Sequence, residues 1–193
     1  MKYCEELKHT VDIKTLEKEV NELLITHQLH LSDRQLCLTH PIECVDPWYH
    51  GVGSAYYETD NIDSSSIDSD EFLTNHQRKR AIPLTEEAFT EINKELEGTY
   101  IYNLCKLFKT EYNLGRIRII TLLKKTCLTW HADTENRIHI PVITNKKCRM
   151  VIEEECFHME SGKSYLVNTR NNHHTAFNGS NITRLHIVGN IIC

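Results

Sequence analysis

The chain has no CxxC pair, although eight cysteines are spread along it: Cys4, Cys37, Cys44, Cys105, Cys127, Cys148, Cys156 and Cys193. This excludes a zinc ribbon and a thioredoxin-type redox motif. No apolar run approaches the roughly 18–20 residues of a membrane span. The opening residues, MKYCEELKHTVDI, lack the apolar core of a secretion signal. A cytoplasmic location with reduced thiols is therefore expected, and Cys127, Cys148 and Cys156 are read as packing residues rather than ligands. A basic surplus is lacking too. The net charge of −5 and a pI near 6.2 argue against a general electrostatic grip on nucleic acid. Glycine and proline are sparse, at 7 and 4 residues, which excludes collagen and low-complexity chains.

What remains describes an ordinary globular protein. Hydrophobic residues make up 40% and charged residues 25% of 193 positions, a length that fits one domain, 1–193. From Ile13 to Leu24 the apolar positions Leu16, Val20, Leu23 and Leu24 recur at helical steps. A strand around Gln35–Thr39 and a Pro/Gly-containing turn region follow. Residues 58–80 are acidic and serine-rich, ending in a basic NHQRKR stretch, and are the candidate for a mobile lid. From Thr85 to Tyr112 the stripe Phe89, Ile92, Leu96, Tyr100, Leu104, Phe108 predicts helix, broken near Gly98.

After Gly115 the character changes. Short β segments separated by turns run from Arg116 to the end: RIRIITLL, CLTW, NRIHIPVIT, CRMVIE, KSYLVN, HHTAFN and ITRLHIVGNII. Many short strands at near-regular spacing point to a sandwich or jelly roll. The expected class is α+β, mainly β: helical and loop-rich support over 1–115, packed on one side of a core spanning 116–193.

Polar residues sit where strands should be buried. Arg137 and His139 alternate with isoleucine, and Arg184 and His186 with leucine, isoleucine and valine. Such a face meets either water or an enclosed site. In His131-Ala132-Asp133 the imidazole and carboxylate lie two apart, on one face of a strand. A second histidine from a distant strand would complete a 2-His-1-carboxylate set of the kind that holds Fe(II). With 12 histidines in the chain, composition alone predicts roughly half such a pair by chance. His174, on a late strand, is the candidate third ligand, with His173 as its rival. Arg184 lies ten positions beyond His174, across a turn, and a guanidinium there suits a carboxylate held by two prongs.

Taken together, His131-Ala132-Asp133, Arg137-Ile138-His139-Ile140-Pro141, His174-Thr175-Ala176-Phe177-Asn178 and Arg184 resemble the aspartyl/asparaginyl β-hydroxylase-like family of Fe(II)/2-oxoglutarate oxygenases. The resemblance covers about the last 80 residues. Lys124-Lys125 replaces the Pro-Gly that family members usually carry before the first ligand strand. The front half resembles small phage-type and bacterial members more loosely, through QLCLT and DPWY.

The resemblance implies a double-stranded β-helix (jelly roll, cupin-like) with N-terminal helices on one side. It implies iron ligation by His131, Asp133 and His174, with 2-oxoglutarate and O2 as cosubstrates. Arg184 would hold the far carboxylate of 2-oxoglutarate, His139 would lie near the cosubstrate, and Arg137 would hold a carboxylate of the prime substrate. Asn178 is expected to secure a turn. The implied activity is hydroxylation of an unactivated C–H bond, in an Asp or Asn residue of a polypeptide or in a free amino acid such as proline. The partner is then a small molecule or peptide, with neither nucleic acid nor membrane. The alternatives are a cupin metalloprotein of different reaction type and a non-catalytic jelly-roll binding module.

Overall fold

Asp12 starts the first helix, α1 (Ile13–Thr26), because its carboxylate accepts from the Thr15 backbone N–H at 3.3 Å and from the Thr15 hydroxyl at 2.7 Å. A second helix, α2 (Tyr100–Tyr112), is capped by the Thr99 hydroxyl and ends at Asn113 in the left-handed region, φ 52°. The two helices are tied by Glu19 of α1. Its carboxylate accepts from the backbone N–H groups of Tyr100 and Ile101, both at 2.9 Å, so a negative charge sits at the positive end of α2. Leu16, Val20, Ile101, Leu104 and Phe108 are the buried stripes of the pair.

The computed structural model describes residues 2–27, 35–53 and 85–192; the lid expected at 58–80 lies outside the described residues. The strands are β1 (Cys4–Glu6), β2 (Gln35–Cys37), β3 (Thr39–His40), β4 (Glu91–Ile92), β5 (Leu114–Leu122) and β6 (Thr126–Cys127), then β7 (Arg137–Ile143), β8 (Cys148–Ile152), β9 (Glu155–Phe157), β10 (Tyr165–Val167), β11 (His174–Asn178) and β12 (Arg184–Ile191). They form a six-stranded sheet in the order β1-β10-β7-β12-β5-β2, a four-stranded sheet β6-β11-β8-β9 and the small pair β3-β4. All ladder pairings are antiparallel. The strands thus make the two-sheet jelly roll of a double-stranded β-helix.

The period of two along the large sheet decides what each face does. Ile117 and Ile119 of β5, Ile138, Ile140 and Val142 of β7, and Leu185 and Ile187 of β12 join the helices' stripes in one apolar core. Each such side chain contributes roughly 1.5–3 kcal/mol on burial. The alternate positions, Arg116, Arg118, Arg137, His139, Arg184, His186 and Asn190, therefore belong to the opposite face, inside the roll. The inner apolar filling is separate: Met150, Ile152 and Phe157 pack with Tyr165, Val167 and Tyr3.

Three expectations need correction. The stretch from Thr85 to Leu96 is not an α-helix. It consists of a 3-10 turn at Glu86–Ala88, strand β4 and a second 3-10 turn at Lys94–Leu96. Non-local bonds win here: the Glu86 carboxylate is drawn onto Arg116, and the Asn93 N–H donates to Leu38 at 3.0 Å. Second, CLTW supplies only the end of a two-residue strand, β6. Third, Cys148 is buried as expected, but Cys127 and Cys156 are exposed, at outward positions on the two edge strands of the smaller sheet.

Candidate metal centre

His131 and Asp133 follow β6 on an irregular segment that two isolated bridges pin in place. His131 and His174 exchange backbone hydrogen bonds at 3.1 and 2.7 Å, while Asp133 bridges Arg170 and donates its N–H to Thr169 at 3.3 Å. The first two ligands are thus laid against β11, which carries the third. His131, Asp133 and His174 offer ligand atoms that all lie within 4.8 Å of one another. His173, the rival, is turned away, its backbone N–H donating to Glu153 at 2.6 Å.

The ring tautomers follow from the backbone. Nδ1 of His131 lies 2.7 Å from the Thr129 carbonyl, and Nδ1 of His174 lies 2.9 Å from that of Asn172. A carbonyl only accepts, so each Nδ1 carries a proton, and Nε2 is the ring atom left for a metal. Those Nε2 atoms lie 3.9 and 3.2 Å from the carboxylate oxygens of Asp133. Asp133 Oδ2 is buried and has no hydrogen-bond partner. Two imidazole nitrogens and a carboxylate oxygen thus converge on one point, a donor set that a cation at the centre would satisfy. Two imidazole nitrogens and one carboxylate fit Fe(II). Arg137 donates to Asp133 Oδ1 at 2.6 Å, fixing the carboxylate with Oδ2 turned to His174. Burial would raise the Asp133 pKa, but His174, Arg137 and His131 outweigh it and hold the group below the usual carboxylate range.

The interior beyond the triad is basic. Arg184 is 5% exposed, and its contacts are two, both to His186 at 2.9 Å: Nε with Nε2, and Nη2 with Nδ1. A neutral imidazole accepts through only one nitrogen. One of the two contacts therefore satisfies nothing, and no carboxylate pairs with Arg184 among the described residues. Burial lowers its pKa to about 10, which leaves it charged at neutral pH. His186 meets His139 with Nδ1 atoms 3.4 Å apart, and His139 Nε2 has no partner. Burial first, then the Arg184 cation, holds both imidazoles well below the ordinary histidine value, so both are neutral. His139 feels the charges of Arg184, Arg137, His174 and Asp133, so it sits near both the candidate ligands and the guanidinium.

Asn178 holds the turn after β11, donating to the carbonyls of Leu122 and Ile182 at 3.0 and 2.7 Å and accepting from Ser180. At the turn leading into β6, Lys125 takes φ 58°, the conformation for which glycine is the usual choice. A cleft of about 400 Å³ opens beside the triad, lined by His131, Asp133, Arg137, Arg116, Arg118 and Gln35 among others. Arg116, Arg118 and His186 are wall residues without an expected role. The alternation that marks His186 is the same that marks Arg184, while that in RIRI, which carries Arg116 and Arg118, reads from the sequence only as a strand.

Solved structures similar to parts of the chain include a 2OG-Fe(II) oxygenase family protein of Burkholderia pseudomallei, at 16% identity and TM-score 0.36, covering 40% of this chain and 43% of that one. AerE of Microcystis aeruginosa shares 20% identity at TM-score 0.35, covering 40% of this chain and 36% of its own. A cupin domain of Bordetella pertussis shares 15% at TM-score 0.36, covering 40% and 81% respectively. The chain spans less than two thirds of the first two of these proteins. No curated protein matches it. Residues 80–192, more than half of the chain and all of the segment that builds the triad and the basic wall, match the aspartyl/asparaginyl β-hydroxylase family, to which this chain belongs.

Proposed function

We propose that the chain is an Fe(II)- and 2-oxoglutarate-dependent dioxygenase. Its reaction would hydroxylate an unactivated C–H bond in an aspartyl or asparaginyl residue of a polypeptide, or in a free amino acid such as proline. One observation carries this reading. Ligand atoms of His131, Asp133 and His174 converge in the roll that also buries Arg184, a guanidinium without an anionic partner among the described residues. When bound at the triad, Fe(II) supplies the redox chemistry by which O2 and 2-oxoglutarate become succinate, CO2 and one oxygen atom inserted into the substrate.

The chain's own residues do the rest. Arg137 keeps Asp133 oriented and charged. Arg184 pairs with the far carboxylate of 2-oxoglutarate, exchanging a half-satisfied contact with His186 for a charge-assisted one. His139, neutral and with Nε2 unpartnered, offers one hydrogen bond to the cosubstrate between the two ends. Arg137 also faces the side where a prime-substrate carboxylate would enter. The substrate is a small molecule or peptide met in the cytoplasm, not a nucleic acid.

Succinate formation, followed by NMR with Fe(II), 2-oxoglutarate and amino-acid or peptide panels, tests this directly. Wild type should form succinate only with Fe(II), and Arg184→Ala should lose that activity while keeping its metal. A protein that binds metal yet neither binds nor consumes 2-oxoglutarate would be a cupin of other chemistry.

A further inference from the structure

The inner wall carries a second guanidinium that the cosubstrate does not use. Arg118 is 2% exposed and lines the cleft beside the metal triad. Its Nη1 donates to Gln35 Oε1 at 2.9 Å and to the Gly53 carbonyl at 3.0 Å, and its Nη2 to Asn190 Oδ1 at 3.4 Å. All three acceptors are neutral. They hold the guanidinium in one plane and leave its charge uncompensated. Its Nε is buried and has no partner.

The other charges on this wall are accounted for. Arg116 is paired with Glu86 at 2.7 Å, and Arg137 with Asp133 at 2.6 Å. Glu135, also on the cleft, acts on Arg137. Arg118 forms no ion pair with any described acid. Burial, then its cationic neighbours Arg116 and Arg137, pushes its pKa down to about 9, still charged at neutral pH. A buried cation held only by neutral groups is costly, and an anion in the cleft relieves it.

That anion is not the one at Arg184. Arg118 lies opposite Val188 in the register of β5 and β12, four residues along β12 from Arg184, or about 14 Å at the rise of a strand. Of its partners, Asn190 lies two residues further along β12 from Arg184 than Val188 does. Arg137, whose Nε is likewise buried and unpartnered, is its neighbour on the cleft.

We propose that Arg118, held by Gln35, Gly53 and Asn190, is the anchor for a carboxylate of the prime substrate, so that the enzyme takes an anionic substrate and discriminates against its amide. This rests on the dioxygenase reading and narrows it. The group met at Arg118 is a carboxylate, of an aspartyl side chain or a free amino acid, rather than an asparaginyl carboxamide.

The test is calorimetric titration under anaerobic conditions of the Fe(II) protein with 2-oxoglutarate, followed by two matched pairs. These are the α-amides of N-acetyl-L-aspartate and N-acetyl-L-asparagine, which differ only in the side-chain carboxylate, and L-proline against L-prolinamide. In wild type the carboxylate of at least one pair should bind about tenfold or more tighter than its amide, the scale of a charge-assisted hydrogen bond. Arg118→Gln should bring the preference to within about twofold while leaving 2-oxoglutarate affinity unchanged, and Arg118→Lys, which keeps the charge, should restore part of it. Equal binding of acid and amide by wild type, or no binding of any carboxylate, overturns the proposal whether or not the variants fold. So does a preference that survives Arg118→Gln. Loss of 2-oxoglutarate binding in wild type would instead refute the dioxygenase reading.

Discussion

Replacing Glu86 with alanine should destabilise the protein more than its place in a three-residue 3-10 turn suggests. Its carboxylate is 4% exposed and accepts three bonds, from the Arg116 backbone N–H at 2.8 Å, Arg116 Nε at 2.7 Å and Asn190 Nδ2 at 2.8 Å. Arg116, 3% exposed, would then keep only the carbonyls of Gly51 and Gly53, at 3.1 and 3.0 Å. Removing one partner of a buried ion pair costs about 3–5 kcal/mol, a large share of a typical stability of about 5–15 kcal/mol. For a chain of this size that corresponds to roughly 6–20 °C in Tm. Glu86→Gln, which keeps an acceptor oxygen, should fall between. Gly115→Ala should do comparable damage, since a Cβ there would overlap the backbone carbonyl of Glu86. Urea unfolding measures all three. A change within about 1 kcal/mol for Glu86→Ala, at unchanged m-value, would refute the claim that this pair ties the 85–96 segment to the inner wall.

Other outcomes follow from the same geometry. Fe(II) should raise Tm and chelators lower it, and Asp133→Ala should abolish that response. The same variant should also unfold at lower urea than wild type without metal, since half-buried Arg137 loses its ion pair with Asp133. Asn178→Ala should cost about 2–3 kcal/mol, read by urea unfolding, because its amide bridges Leu122, Ile182 and Ser180. His139 and His186 have folded pKa values well below 6.5. The unfolded chain therefore binds more protons, and their contribution, complete above about pH 6.5, is lost as pH falls. Unfolding free energy should drop between about pH 6.5 and 5 in wild type, and less so in His186→Leu. The Glu86 pKa is lowered by Arg116 against its own burial. Its share is lost only below about pH 4.5, a separate acid limb absent from Glu86→Gln.

The candidate ligands share one face as the period of two suggests, but not for the reason expected: His131 and Asp133 lie on an irregular segment, held against β11 and Arg170 by single bridges rather than by a strand ladder. The alternation around His139 and Arg184 does belong to strands, β7 and β12. What was illegible depended on contacts from far along the chain. The stripe Phe89, Ile92, Leu96 has helical spacing, yet Glu86 is claimed by Arg116 and Asn93 by Leu38. Strand β1 has no pattern of its own and exists because it pairs with Tyr165–Val167. Arg116 and Arg118 looked like ordinary polar alternation. Only the placement of α1 and α2 on the isoleucine face shows that the arginines point into the roll.

The most direct test is an anaerobic titration of the metal-free protein with Fe(II) and then 2-oxoglutarate, watching for the visible metal-to-ligand charge-transfer band, with Asp133→Ala and Arg184→Ala alongside. The triad and Arg184 predict a band in wild type that is lost or strongly weakened in both variants. Tight iron binding without a band, or a band indifferent to Arg184, would contradict the assignment of that guanidinium to the cosubstrate. No iron binding at all would contradict the dioxygenase itself.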